Sequence, residues 1–186
     1  MTFEEALDHP GPLLAAWDLT PTRGERTLSL YSLAGDRATA LAHDAAPVGE
    51  EEAASAPLRA RGIPIGECDF GCEFVWISDA EGVAVWGPHW RVLDARGATL
   101  TLANGRTLSP AEIERVFAYA SDDYISRGVR ARLRSGEEVS LVRDISASAA
   151  ADPTYSRNEL LWDTGWAGSI ARAVAAWAGV PYENYI

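Results

Sequence analysis

Lysine is absent from the 186-residue chain, so all sixteen basic side chains are arginines. Set against 27 carboxylates they leave a formal net charge of −11 and a pI near 4.7. Such a field repels phosphate backbones and anionic lipid surfaces, and neither nucleic acid nor a membrane is expected as a partner. Cysteine is scarce, with Cys68 and Cys72 alone. That is too few for a disulfide framework and suits a reducing compartment. No apolar run approaches the roughly 18 residues that span a bilayer. The opening MTFEEALDHPG is acidic where a signal peptide is basic and then apolar, and the expectation is a cytoplasmic protein. Missing too are G-x-S-x-G, a phosphate-cradling P-loop, G-x-G-x-x-G, H-E-x-x-H and an EF-hand loop. No cofactor is expected.

Apolar residues make up 47% of the chain, charged ones 23%, and there are seven tryptophans, a composition of globular rather than disordered chains. Length and core content suit a single domain over 1–186. Arginine without lysine, beside abundant alanine and glycine, is a composition associated with GC-rich bacterial genomes. The acidity is uneven. Residues 1–93 hold fifteen carboxylates against six arginines, and residues 94–186 hold twelve against ten.

The pattern of elements is mostly strand. Thr2 and Glu5 have capping-box spacing for a short helix, which His9-Pro10-Gly11-Pro12 must end. Leu14–Leu19, Thr27–Leu33 and Arg37–Ala42 read as a meander appended over 1–42. Residues 43–67, rich in Ala, Pro, Glu and Gly, read as a long flexible connection. Strands then return at 73–78, 83–86, 90–93, 98–103, 115–120, 128–134 and 139–145, broken by glycine turns. Two hairpins share the spacing apolar-x-x-Gly-x-x-apolar, and three-residue loops are expected to pair Leu102 with Leu108 and Leu133 with Val139. Alternation turns Val129, Ala131 and Leu133 inward and Arg130, Arg132 and Arg134 outward.

A helix is expected from near Arg157, opened by a Ser156/Glu159 capping box, to Gly179, stopped by Gly179 and Pro181. Trp162, Trp166, Ile170, Val174 and Trp177 recur at steps of four, four, four and three, which is one helical face. Burying that face is worth on the order of 10 kcal/mol before entropy, at ~25 cal/mol per Å². It is read as core, with Gly165 and Gly168 letting the helix lie close on a sheet. The fold class is therefore α+β: a mostly antiparallel curled sheet or partly open barrel, one long C-terminal amphipathic helix packed on it, and a short N-terminal helix.

Within residues 83–179, the stretches LTLANGRTLSPAEIERVFAY and GVRARLRSGEEVSLV, followed by the terminal helix, resemble the pleckstrin-homology-like architecture. That resemblance implies a bent sheet plugged by the helix. The lysine-rich loop of the lipid-binding members has no counterpart here, so the resemblance does not extend to phosphoinositide binding. The tail LLWDTGWAGSIARAVAAWAGVPY is also similar to those of small uncharacterised bacterial proteins.

Candidate chemistry is sparse. Cys68 and Cys72 form C-x3-C, a spacing without the second pair that zinc sites show, and His43 and His89 are the available extra ligands; the reading is two thiols and no metal. His89, between Trp86 and Trp90 at a bend, can make an aromatic-walled pocket with a titrating imidazole, or it can cap a backbone carbonyl at a strand corner. Arg130, Arg132 and Arg134 can grip a partner's carboxylates, or be an exposed face answered by Glu137, Glu138 and Asp122. The function expected is a non-enzymatic domain that binds a protein, its acidic half masking a basic partner as an immunity or antitoxin-like protein does. The alternative is a small-ligand or enzymatic pocket near Trp86, His89 and Trp90.

Overall fold

The computed structural model describes residues 1–69, 74–87, 90–120, 127–144 and 165–185. The fold is α+β and sheet-rich, with a helix packed on a sheet and no closed barrel among the described residues. None of the described helices is long and apolar enough to cross a membrane. Where length suggests one domain, the chain divides into two compact units, Met1–Ile77 with Val85–Arg91 and Ser78–Ala84 with Val92–Ile186.

In the first unit, α1 (Phe3–Ala6) carries the capping box read from the sequence: Glu5 N–H donates to Thr2 Oγ1 at 3.2 Å and Thr2 N–H to Glu5 Oε2 at 2.7 Å. Strands β1 (Leu13–Asp18), β2 (Glu25–Ala34) and β3 (Arg37–Pro47) form an antiparallel meander. It is not an appendage, because β1 pairs on its other side, in parallel, with β4 (Ile65–Asp69), and β4 pairs with β5 (Phe74–Asp79). One face of this sheet holds a core of Ala15, Trp17, Leu28, Leu30, Ala42 and Ala46, joined by Ala6 of α1 and by Leu58 of α2 (Glu51–Ala60).

The stretch 43–67 is thus built rather than flexible: it holds the end of β3, all of α2 and most of β4. Pro57 sits inside α2, where it removes one intrahelical donor, and tertiary contacts carry the helix instead. Leu58 is buried, and the Trp17 indole N–H donates to buried Ser55 Oγ at 3.0 Å. Gly62, at φ 73°, ends the helix. Gly62 N–H reaches Arg59 O at 2.9 Å and Ile63 N–H reaches Leu58 O at 3.0 Å, which is a Schellman cap.

The second unit contains most of β7 (Arg91–Arg96), β8 (Leu100–Leu102), which pairs with it, β9 (Thr107–Leu108) and a separate four-stranded sheet. That sheet runs β12 (Glu138–Asp144), β11 (Arg127–Leu133), β10 (Ile113–Ala120), β13 (Tyr182–Tyr185). Both hairpin loops have three residues, but the registers differ from expectation. Leu108 lies opposite Leu100, and Val139 opposite Ala131. Leu102 N–H bonds Arg106 O and Leu133 N–H bonds Glu137 O, so a three-residue loop closes on the residue four along. The apolar partners still share a face, since both shifts are by two.

Helix α3 (Gly165–Ala178) packs on β10, β11 and β13, burying Trp166, Ile170 and Val174, while Trp177 is half-buried and donates its indole N–H to Gly97 O at 3.0 Å. The expected start near Arg157, its capping box and Trp162 lie outside the described residues. Gly179, at φ 66°, closes the helix, with Val180 N–H on Ala175 O at 3.0 Å. The chain then continues into β13, parallel to β10. At Gly168 a Cβ would meet the ends of the Arg172 and Tyr182 side chains at 3.3 and 3.4 Å, the latter from β13 of the sheet. The close backbone approach is at Gly128, where a Cβ would stand 2.2 Å from Val142 O.

Candidate functional site

The corner expected to form a pocket begins at the end of β6 (Gly82–Trp86). Gly87 N–H donates to Trp90 O at 2.9 Å, and His89 lies outside the described residues. Trp86 is 5% exposed, and its indole N–H is buried without a hydrogen-bond partner among the described residues; Trp90 is 51% exposed. One indole is inside and the other in solvent.

Arg130 and Arg132 sit on β11 as the alternation requires and Arg134 just past its end, each with a partner. Arg130 stacks 4.0 Å from the Tyr119 ring centroid and lies 3.8 Å from Glu138, Arg132 is 3.4 Å from the same carboxylate, and Arg134 Nε donates to Ala111 O at 3.0 Å. Glu137, expected to answer this stripe, instead takes a two-pronged contact from Arg106 at 2.7 and 2.8 Å, while Asp122 lies outside the described residues. The stripe is a compensated face, not an open anion cradle.

Cys68, on β4, is 1% exposed, and its thiol points to Ala16 O at 3.8 Å. Burial pushes it up to about 12, against the lowering hydrogen bond with Tyr31. A thiol so buried and so firmly protonated is a poor nucleophile. Cys72 lies outside the described residues. Burial likewise raises the Tyr31 hydroxyl. His43 Nδ1 lies 2.9 Å from Ser29 Oγ, the spacing of a nucleophile and its base, yet Ser29 is fully buried and no substrate reaches it. These groups satisfy one another in the sheet.

A concave feature lies elsewhere in the first unit. A cleft of about 450 Å³ is lined by Leu7, His9, Gly11, Pro12, Leu13, Leu33, Arg61, Gly62, Ile63 and Pro64, a volume within the range of small-molecule sites. Its frame is fixed by backbone bonds: Leu33 N–H to Pro12 O at 2.9 Å, Ala15 N–H to Pro64 O at 3.0 Å, and the Schellman cap at Gly62. Leu7, Leu13 and Leu33 are half-buried in its wall and Ile63 is buried. Arg61 is its cation. Its guanidinium lies 3.7 Å from the Asp8 carboxylate, beyond hydrogen-bond reach, and both side chains are more than half exposed. His9 Nδ1 is buried with no hydrogen-bond partner among the described residues.

No family model, curated protein or solved structure matches the chain.

Sequence reasoning missed the cleft. His9-Pro10-Gly11-Pro12 was legible only as a helix stop, and Gly62-Ile63-Pro64 as part of a flexible connection. The available signal was their stiffness: two short segments crowded with proline and positive-φ glycine, Gly11 at 128° and Gly62 at 73°, make a rim that keeps its shape.

Proposed function

We propose that the protein is a non-enzymatic binding domain for a basic protein partner, acting in the cytoplasm as an immunity or antitoxin-like protein does. The observation that carries this reading is where the acid sits. The first unit holds thirteen carboxylates against six arginines. Eight of those carboxylates, Glu4, Glu5, Asp8, Glu25, Asp36, Asp44, Glu50 and Glu52, are exposed. Against four exposed arginines, Arg23, Arg37, Arg59 and Arg61, they leave this surface net acidic, and a net acidic surface steers an oppositely charged partner and sets its association rate. The reading is supported by Ser29 and Cys68 being sealed in the sheet, since a binding domain needs neither. Arg130, Arg132 and Arg134, engaged by Glu138, Tyr119 and Ala111 O, are secondary contacts in it.

The pleckstrin-homology-like reading of the second unit rests on α3 lying over β10 and β11. The parallel strand β13 after that helix departs from the pattern.

The test is coexpression with the product of the adjacent gene, followed by capture over a salt series. A complex is expected whose affinity falls by tenfold or more between about 50 and 300 mM salt, as exposed charges are screened over ~10 Å or less. An absent complex, or one indifferent to salt, refutes the reading.

A further inference from the structure

We infer that the cleft of the first unit binds a small apolar carboxylate. Half-buried Leu7, Leu13 and Leu33, with Ile63 beneath, give an apolar floor, and Arg61 at the rim gives one cation. No carboxylate is among the lining residues. The unit as a whole is acidic, but that field is screened over about 10 Å at 0.1 M salt, so the contact set decides the sign of the ligand. Asp8, at 3.7 Å and 85% exposed, holds Arg61 without a hydrogen bond. A ligand carboxylate can take the two-pronged geometry that Asp8 does not, which is the stronger arrangement. The rim is already formed, so little ordering opposes binding.

A free carboxylic acid and the C-terminus of a peptide share this chemistry. The test therefore uses octanoate and octanol as one pair, and acetyl-dileucine as its acid and its amide as another, by calorimetry and amide chemical shifts on the full chain. Each acid is expected to bind at least tenfold tighter than its neutral mate, with shifts at Leu7, Leu33 and Gly62. Whichever acid binds tighter names the source, and either result supports the site. Arg61→Gln is expected to weaken binding about ten- to a hundredfold. Asp8→Asn is expected to tighten it roughly two- to fivefold by releasing Arg61. Both positions are exposed, and loss of fold does not confuse the outcome. Neutral ligands binding as well as acids, no binding at millimolar ligand, or an unchanged Arg61→Gln variant overturns the inference. This result is independent of whether a basic protein partner is found.

Discussion

Alanine at Gly128 and alanine at Gly168 should move stability in opposite directions, although both glycines are buried in the second unit. At Gly128 a new Cβ would stand 2.2 Å from Val142 O and 3.1 Å from the Arg143 Cα. Those are backbone atoms of the neighbouring strand, and β11 and β12 must part there, losing packing and at least one ladder bond. Overpacking costs about 1–3 kcal/mol and a broken hydrogen bond about 1, so Gly128→Ala should cost about 2–4 kcal/mol. At Gly168 the obstacles are the tips of Arg172 and Tyr182 at 3.3 and 3.4 Å, and side-chain tips move at little cost. Alanine in a helix interior is favoured over glycine by ~1 kcal/mol, so Gly168→Ala should gain about 0.5–1 kcal/mol. Urea unfolding followed by tryptophan fluorescence decides, Trp166 being sealed in the same unit. With a slope of about 1–3 kcal/mol per molar urea, Gly128→Ala should bring the midpoint down by roughly 1 M or more, and Gly168→Ala should raise it. A Gly128→Ala midpoint indistinguishable from the parent would mean that the strands are not in contact there. A loss above about 1 kcal/mol for Gly168→Ala would mean that something stiffer than side-chain ends lies over the helix.

Two further outcomes follow from buried polar groups. Ser55→Ala leaves the Trp17 indole N–H without its 3.0 Å acceptor and should cost about 1–3 kcal/mol; on a Trp17→Phe background, where no indole N–H is left stranded, the same change should cost much less, and an additive double mutant in thermal melts would refute the pairing. The Cys68 thiol holds its proton in the fold up to about 12, against an ordinary 9.0. Above pH 9 the unfolded chain therefore releases a proton that the folded chain keeps, and stability should fall with rising pH by up to about 1.4 kcal/mol per unit. Cys68→Ala should flatten that alkaline loss in part, the raised Tyr31 hydroxyl supplying the rest. An unchanged profile would place the thiol in water.

Local signals were readable and distant ones were not. The α1 capping box, the meander turns, the alternation on β11 and the Gly179 stop are each encoded within a few residues, and each is observed. Trp166, Ile170 and Val174 are interior as their spacing requires. Helix α2 was hidden because Pro57 and a run of Ala and Glu carry no propensity argument strong enough without Trp17 and Leu58 beneath it. Strand β4 was hidden because Gly66 and Cys68 replace the β-branched residues that mark strands; Gly66 is there since a Cβ would stand 2.1 Å from Trp76 O. The hairpin registers were missed by one pair of positions, a difference that hydrophobic alternation cannot detect because it preserves the face. The cleft was least legible of all, since residues 7–13, 33 and 61–64 come together only through the pairing of β1 with β2 and β4.

The parallel pairing of β1 with β4 has a consequence for vectorial synthesis. As the chain emerges from a ribosome, the meander is complete by residue 47, yet one side of β1 waits for residues 65–69. During that interval a nascent sheet with Leu14, Ala15 and Ala16 on an unpaired rim is open to strands of neighbouring polypeptides. The short span of α2 shortens the wait, so a longer insertion between β3 and β4 would be felt first in expression yield, before any change in the finished fold.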